Sequence, residues 1–124
     1  MTKEKEDYLF KTYPNIFPPD EIRNDIQKSC LGWGFECSDG WFDLLEDLFK
    51  KLSALPDQVE LEQVKEKYGT LRVYAMGSDE AFDLINEAEE KSATICEICG
   101  KAGTLHSDKG WMVCRCEEHY KNDK

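Results

Sequence analysis

Two short spacings near the carboxyl end restrict this chain more than any other feature. CEIC, Cys96 to Cys99, is a C-x2-C pair, and CEEH, Cys116 to His119, is a C-x2-H pair, with Gly100 to Arg115 between them. Ligand pairs at this separation are the pattern of a two-knuckle zinc site, in which four side chains surround the ion as a tetrahedron. Gly100 directly follows the first pair and suits the tight turn of a knuckle. GTLHSDKGWMVC can form a hairpin turning near Asp108-Lys109-Gly110, and CEEHYKNDK can begin a short helix. Knuckle, hairpin and helix in that order predict a treble-clef-like tail over residues 94–124, docked on a body of residues 1–93.

Cys114 makes a fifth candidate for four places. A three-residue step on the first turn of a helix presents Cys116 and His119 on one face without strain, and a helix N-terminus favours a thiolate. The expected ligands are therefore Cys96, Cys99, Cys116 and His119. Cys114 in place of Cys116 stays open, because alternation along WMVCRC puts both cysteines on the same strand face. His106 is expected as an exposed hairpin residue, and Cys30 and Cys37, which lack ligand spacing, as buried thiols.

Three thiolates and an imidazole fill the coordination sphere of zinc and leave no position for water or substrate. They also leave net negative charge on the centre, which weakens it as a Lewis acid. No His-x-Glu precedes the cysteine pair, as the zinc deaminases require. The expected zinc is structural, holding together a tail too small to fold alone. The expected protein is not an enzyme.

The first residues, MTKEKEDYLFKTYPNIF, lack the apolar stretch of a signal peptide, and no run approaches the length of a membrane span. The expectation is a soluble, cytoplasmic chain with reduced thiols. Its formal charge is −10. Residues 96–124 hold five bases and five acids, so all the excess acid lies in residues 1–95, where 11 bases face 21 acids. Such a surface repels a duplex, which disfavours duplex nucleic acid as a partner.

In the body, KEDYLFKT reads as a short helix ended by Pro14, and DEIRNDIQKS permits another turn or two after Pro18-Pro19. LGWGFEC reads as a strand or an irregular extended segment. SDGWFDLLEDLFKKLSAL is the clearest helix: Trp41, Leu44, Leu45, Leu48 and Leu52 recur at three- and four-residue steps, and Ser38 or Asp39 can cap it. VELEQVKEKYGTLRVYA reads as a hairpin turning near Tyr68-Gly69, and SDEAFDLINEAEEKSA as a helix capped by Ser78. The expected fold class is α+β, with helices on a small antiparallel sheet.

Two clusters carry functional readings. Trp33, Phe35, Trp41 and Phe42 lie among Gly32, Gly34 and Gly40, as core or as pocket walls. Lys65, Lys67 and Arg72 interleave with Tyr68 and Tyr74. Cations beside aromatic rings suit a phosphate-bearing, base-containing ligand, and the plain alternative is a solvated strand face offset by Glu62 and Glu66.

YPNIF, GFECSDGWFDLLEDL, QVKEKYGTLRVY and SATICEICGKAG, followed by GW and CEEH, resemble in this order a family of small zinc-binding proteins encoded by tailed phages and prophages. The resemblance covers nearly the whole chain. In that family a cysteine before DEH or EEH stands where Cys116 stands here. The resemblance implies a phage setting, hence the host cytoplasm, and supplies no mechanism. Small non-enzymatic phage proteins often act against host defence, and the accessory role expected here is by analogy with them. The leading expectation is a binder that sequesters a small anionic, nucleotide-like ligand such as a host immune signal. Trp33, Trp41, Tyr68 and Tyr74 would be its walls, and Lys65, Lys67 and Arg72 its anion contacts. The rival is an acidic protein-interaction module that inhibits a host defence or DNA-processing protein. Self-association is compatible with both.

Overall fold

In a computed structural model of the chain, residues 1–25, 27, 30–107 and 110–122 are described, without the side chains of Trp33 and Asn122. Helix α1, Lys3–Thr12, is capped by the Thr2 hydroxyl, which accepts the Lys5 amide at 3.4 Å, and it stops before Pro14. It buries Leu9. The short α2, Asp20–Arg23, follows Pro19 and turns its Arg23 guanidinium over the Phe10 ring at 3.9 Å. The helix stops at Arg23, with Asn24, Asp25 and Gln27 outside it, and Ile26, Lys28 and Ser29 lie outside the described residues.

Helix α3, Phe42–Ser53, buries Leu44, Leu45, Leu48, Phe49 and Leu52, the stripe its three- and four-residue periodicity predicts. Its start differs from expectation. A 3-10 turn, Asp39–Trp41, precedes it, and neither Ser38 nor Asp39 caps with its side chain. The Asp39 carboxylate accepts instead from the Thr2 amide at 3.0 Å and the Lys5 ammonium at 3.2 Å, donors that the N-terminus of α1 brings to it.

Strands β1, Glu60–Lys67, and β2, Thr70–Met76, form the expected antiparallel hairpin. Tyr68 and Gly69 at the turn both have positive φ, 55° and 83°, as the commonest two-residue hairpin turn requires. A register shift between Leu61 and Gln63 moves Val64 to the inner face with Leu61, Leu71 and Val73. Helix α4, Asp79–Ser92, starts at Ser78, whose hydroxyl accepts the Ala81 amide at 3.3 Å, and it buries Ala81, Ile85 and Ala88.

Both edges of the hairpin are covered, which removes the exposed ladder that invites aggregation. On the β2 edge, α4 supplies acceptors: the Ser92 hydroxyl takes the Leu71 amide and the Glu89 carboxylate the Val73 amide, each at 2.9 Å. On the β1 edge, LGWGFEC is a 3-10 turn over Cys30–Trp33 followed by an extended piece. There Glu36 donates its amide to Val64 at 3.0 Å and accepts that of Glu66 at 2.9 Å. Phe35 from this piece joins Phe10, Phe17 and Phe49 in an aromatic cluster in the core.

The tail contains β3, Thr104–His106, antiparallel to β4, Val113–Arg115, and then α5, Glu117–Asn122. It forms a second two-stranded sheet rather than extending the first. Gly110, where the turn is expected, has a positive φ (92°), while Asp108 and Lys109 lie outside the described residues. The architecture is α+β, with a Cys/His cluster at its carboxyl end.

Candidate metal centre

The CEIC turn is built by the backbone. Ile95 bridges to Ala102, Cys96 donates to the Lys101 carbonyl at 2.8 Å, and Gly100 donates to the Cys96 carbonyl at 2.9 Å. Gly100, at φ 81°, also runs against the Gly40 carbonyl, which a Cβ would meet at 3.0 Å. Cys116 stands immediately before α5 and its carbonyl accepts the Tyr120 amide at 2.9 Å, which sets His119 above it on the first turn.

These elements bring four ligand atoms within 4.8 Å of one another. The Cys99 and Cys116 sulfurs are 3.7 Å apart, and His119 Nδ1 lies 3.6 Å from the Cys96 sulfur and 3.2 Å from that of Cys116. A tetrahedral ion bound to sulfur at about 2.3 Å has ligand–ligand edges of about 3.8 Å. The cluster therefore has the size and the soft donor set of a metal site. Burial pushes the Cys96 thiol up, but the amides of Cys116, Cys99 and Ile98 directed at its sulfur outweigh that and bring it down to about 6. At Cys99 the Lys101 amide pulls down, while desolvation and the sulfurs of Cys96 and Cys116 outweigh it and hold the thiol above its ordinary value. Two such sulfurs held together repel as anions, and a cation between them removes that repulsion.

Cys114 is the surplus cysteine of this cluster. It is fully buried, and its thiol donates to the Ile95 carbonyl at 3.1 Å. Burial, then the negative charge of Cys96, raises it. β4 ends at Arg115, so the alternation that put Cys114 and Cys116 on one face stops between them. His106 lies outside the cluster, stacked on Tyr120 with centroids 3.7 Å apart and Nε2 3.1 Å from the Thr104 hydroxyl. Cys37 is buried as expected, its thiol pushed up to about 12 by burial, whereas Cys30 is exposed. The 3-10 turn at Cys30 leaves its side chain at the surface, which corrects the expectation for that residue.

Glu97, between the two knuckle cysteines, escaped the sequence reading. It is 7% exposed. One carboxylate oxygen accepts the Ser38 amide at 2.9 Å and the other pairs with Arg115 at 3.2 Å. Its carbonyl accepts the Gly40 amide at 2.7 Å. Gly40 allows this: a Cβ there would stand 2.3 Å from the Cys96 carbonyl oxygen. Beside it the Trp41 indole donates to the Ile95 carbonyl at 2.9 Å. The ligand loop is thus bolted to the start of α3.

The second set of candidate residues divides. Trp41 is 0% exposed and belongs to the core. The indole has one polar atom, and it is spent on Ile95, so Trp41 walls no open site. The side chain of Trp33 lies outside the described residues. The other five lie on the outer face and turn of the β1–β2 hairpin. Lys65 pairs directly across from Arg72, and Gln63 from Tyr74. The Lys65 ammonium is 5.8 Å from the Tyr74 ring centroid, and that of Lys67 is 5.4 Å from Tyr68. Among the described residues, no carboxylate forms an ion pair with Lys65, Lys67 or Arg72. Glu66, which was to offset them, accepts the Gly69 amide at 2.7 Å.

Among the described residues no helix is long and apolar enough to cross a membrane. Compared with known proteins, the chain matches no family model, no curated protein and no solved structure.

Proposed function

We propose that this is a non-catalytic binding protein in which zinc, held by Cys96, Cys99, Cys116 and His119, serves the fold, while the outer face of the β1–β2 hairpin takes an anionic, nucleotide-like ligand. The observation that carries the reading is the cross-strand pairing of Lys65 with Arg72, beside Lys67, in a chain of 26 acids and 16 bases where none of the three has a carboxylate partner among the described residues. Cations left without counter-charges in so acidic a protein favour a ligand that brings its own negative charge. Tyr68 supports the same reading. It is 64% exposed in a left-handed conformation that side chains other than Gly, Asn and Asp adopt at a cost. A strained aromatic residue in water gains its use from a stacked base.

Zinc suits the donor set, because three thiolates and one imidazole close its tetrahedron and leave no reactive position. The phage-like motifs suggest that the ligand is a host signal and that binding removes it from use.

The test is a thermal-shift panel of nucleotides and cyclic nucleotides on the zinc-loaded protein. A member of the panel should raise the melting temperature, and the Lys65→Ala/Arg72→Ala double variant should lose the rise. The excess acid of residues 1–95 favours the second reading, an acidic module that occupies a host protein. No shift across the panel, together with capture of a defined host protein, would establish that reading instead.

A further inference from the structure

Apolar exposure gathers where the two hairpins meet. Gly69 leaves room for the tail: a Cβ there would stand 2.7 Å from the Leu105 side chain and 3.3 Å from the backbone of Met112 and of Val113. One residue to either side of that contact, Tyr68 is 64% and Trp111 53% exposed, and Leu105 and Met112 are exposed as well. Surfaces rarely leave such side chains together in water without a partner to cover them.

The cations continue from this point along the hairpin. Lys67 stands beside Tyr68, Lys65 and Arg72 come next, and Tyr74 lies beyond them. Lys65 and Lys67, two residues apart on one strand face, are separated by about 6.8 Å, and the run from Gln63, opposite Tyr74, to Tyr68 rises about 17 Å. That is long for one nucleotide, whereas sheet faces of other folds stack two or three bases. The path is an open face without Trp41 as a wall, which suits a ligand that can follow it along its length. Of the acids near the path, Glu66 is drawn to the Gly69 amide, while Glu36 stands beside Lys65 and accepts from Gln63 at 3.4 Å without forming an ion pair with Lys65.

The geometry points to a single-stranded nucleic acid segment as the ligand, its phosphates on Lys65, Lys67 and Arg72 and its bases on Tyr74, Tyr68 and Trp111. This rests on the anion-binding reading of the same face and names the ligand class. A duplex offers no free base faces to these rings, and its charge density meets the −10 of the whole chain. Screening within about 8 Å at physiological salt lets the local cations act on a single strand despite that charge.

The probe is a short thymidine oligonucleotide titrated into the zinc-loaded protein, with thymidine monophosphate as comparison. The oligonucleotide should bind at least tenfold more tightly, quench tryptophan fluorescence in the parent but not in Trp111→Phe, and lose at least about fivefold in affinity in Trp111→Ala. Its logarithmic salt slope should be about −2, at about 0.7 per neutralised phosphate for three cations. If nucleotides shift the melting temperature but the oligonucleotide binds no better and leaves Trp111 unquenched, the extended path is wrong while the anion face stands. If neither binds and an acidic peptide does, both readings fall and the face belongs to a protein partner.

Discussion

Glu97 reaches out of the Cys96–Cys99 turn to accept the Ser38 amide at 2.9 Å. Its other oxygen holds Arg115 at 3.2 Å, so one buried carboxylate ties the first ligand pair, the strand before the second pair and the entry to α3. Removing it takes the counter-charge from a guanidinium that is only 14% exposed and the acceptor from the Ser38 amide. The guanidinium keeps its hydrogen bond to the Cys114 carbonyl at 3.1 Å. Glu97→Ala should lower unfolding free energy by about 2–3 kcal/mol, the range for hydrogen bonds to charged groups. Urea denaturation of the metal-loaded variant reads this. Metal stoichiometry should be unchanged, since Glu97 is no ligand; loss of the metal at native conditions would contradict the assigned role.

Cys114 and Cys116 are two residues apart but do opposite work. Cys114→Ala should still bind one metal ion per chain and lose about 1 kcal/mol for a buried thiol and its hydrogen bond to Ile95. Cys116→Ala should lose the metal. Alkylation of the native, metal-loaded protein followed by mass spectrometry should modify Cys30, which is exposed, and spare Cys37 and Cys114. A chelator should then open Cys96, Cys99 and Cys116. Labelling of Cys114 before chelation, ahead of Cys30, would contradict its burial beneath Ile95.

What the sequence made legible is what short-range geometry controls. The stripe of α3, the turn at Tyr68-Gly69 and the Ser78 cap each follow from steps of a few residues. So does the ligand cluster, because two knuckles are local motifs. Choosing between Cys114 and Cys116 needed the end of β4, a boundary that alternation does not mark. Trp41 among glycines reads in sequence as core first and as a pocket wall second, and the core reading holds: Gly40 admits the ligand loop, which buries the indole. Glu97 was hidden because its partners Ser38 and Gly40 are far away in the chain. A glutamate between two ligand cysteines was the one signal available.

Glu6 carries a charge the fold opposes. Burial raises its carboxyl above the ordinary value, and the hydrogen bond from the Phe35 amide, at 2.6 Å, pulls the other way without cancelling it. A folded value above the unfolded one means the group supports the fold below about pH 4.3, where it is protonated in both states, and loses that support as pH rises through the folded value. Glu6→Gln keeps an acceptor for Phe35 without the charge. Its melting temperature should exceed that of the parent at pH 7, and the two should converge below about pH 4. A lower melting temperature at pH 7 would mean that the charge-assisted hydrogen bond outweighs desolvation.

Tyr68 and Gly69 share a turn but respond to substitution in opposite directions. Gly69→Ala puts a Cβ at φ 83° and 2.7 Å from Leu105, and should cost about 1–3 kcal/mol. Tyr68 already bears such strain at φ 55°, with little packing to offset it. Asparagine is at home in that conformation. Tyr68→Asn should therefore stabilise the protein by about 0.5–1 kcal/mol, a rise of roughly 2–4 °C for a chain of this size. The same change removes a ring from the proposed binding face, so affinity for a nucleotide ligand should fall at least about fivefold. Thermal melts and titrations on one preparation read both effects. Stability and binding moving apart would mark Tyr68 as a residue kept for its ligand; stability rising with binding unchanged would remove it from the site.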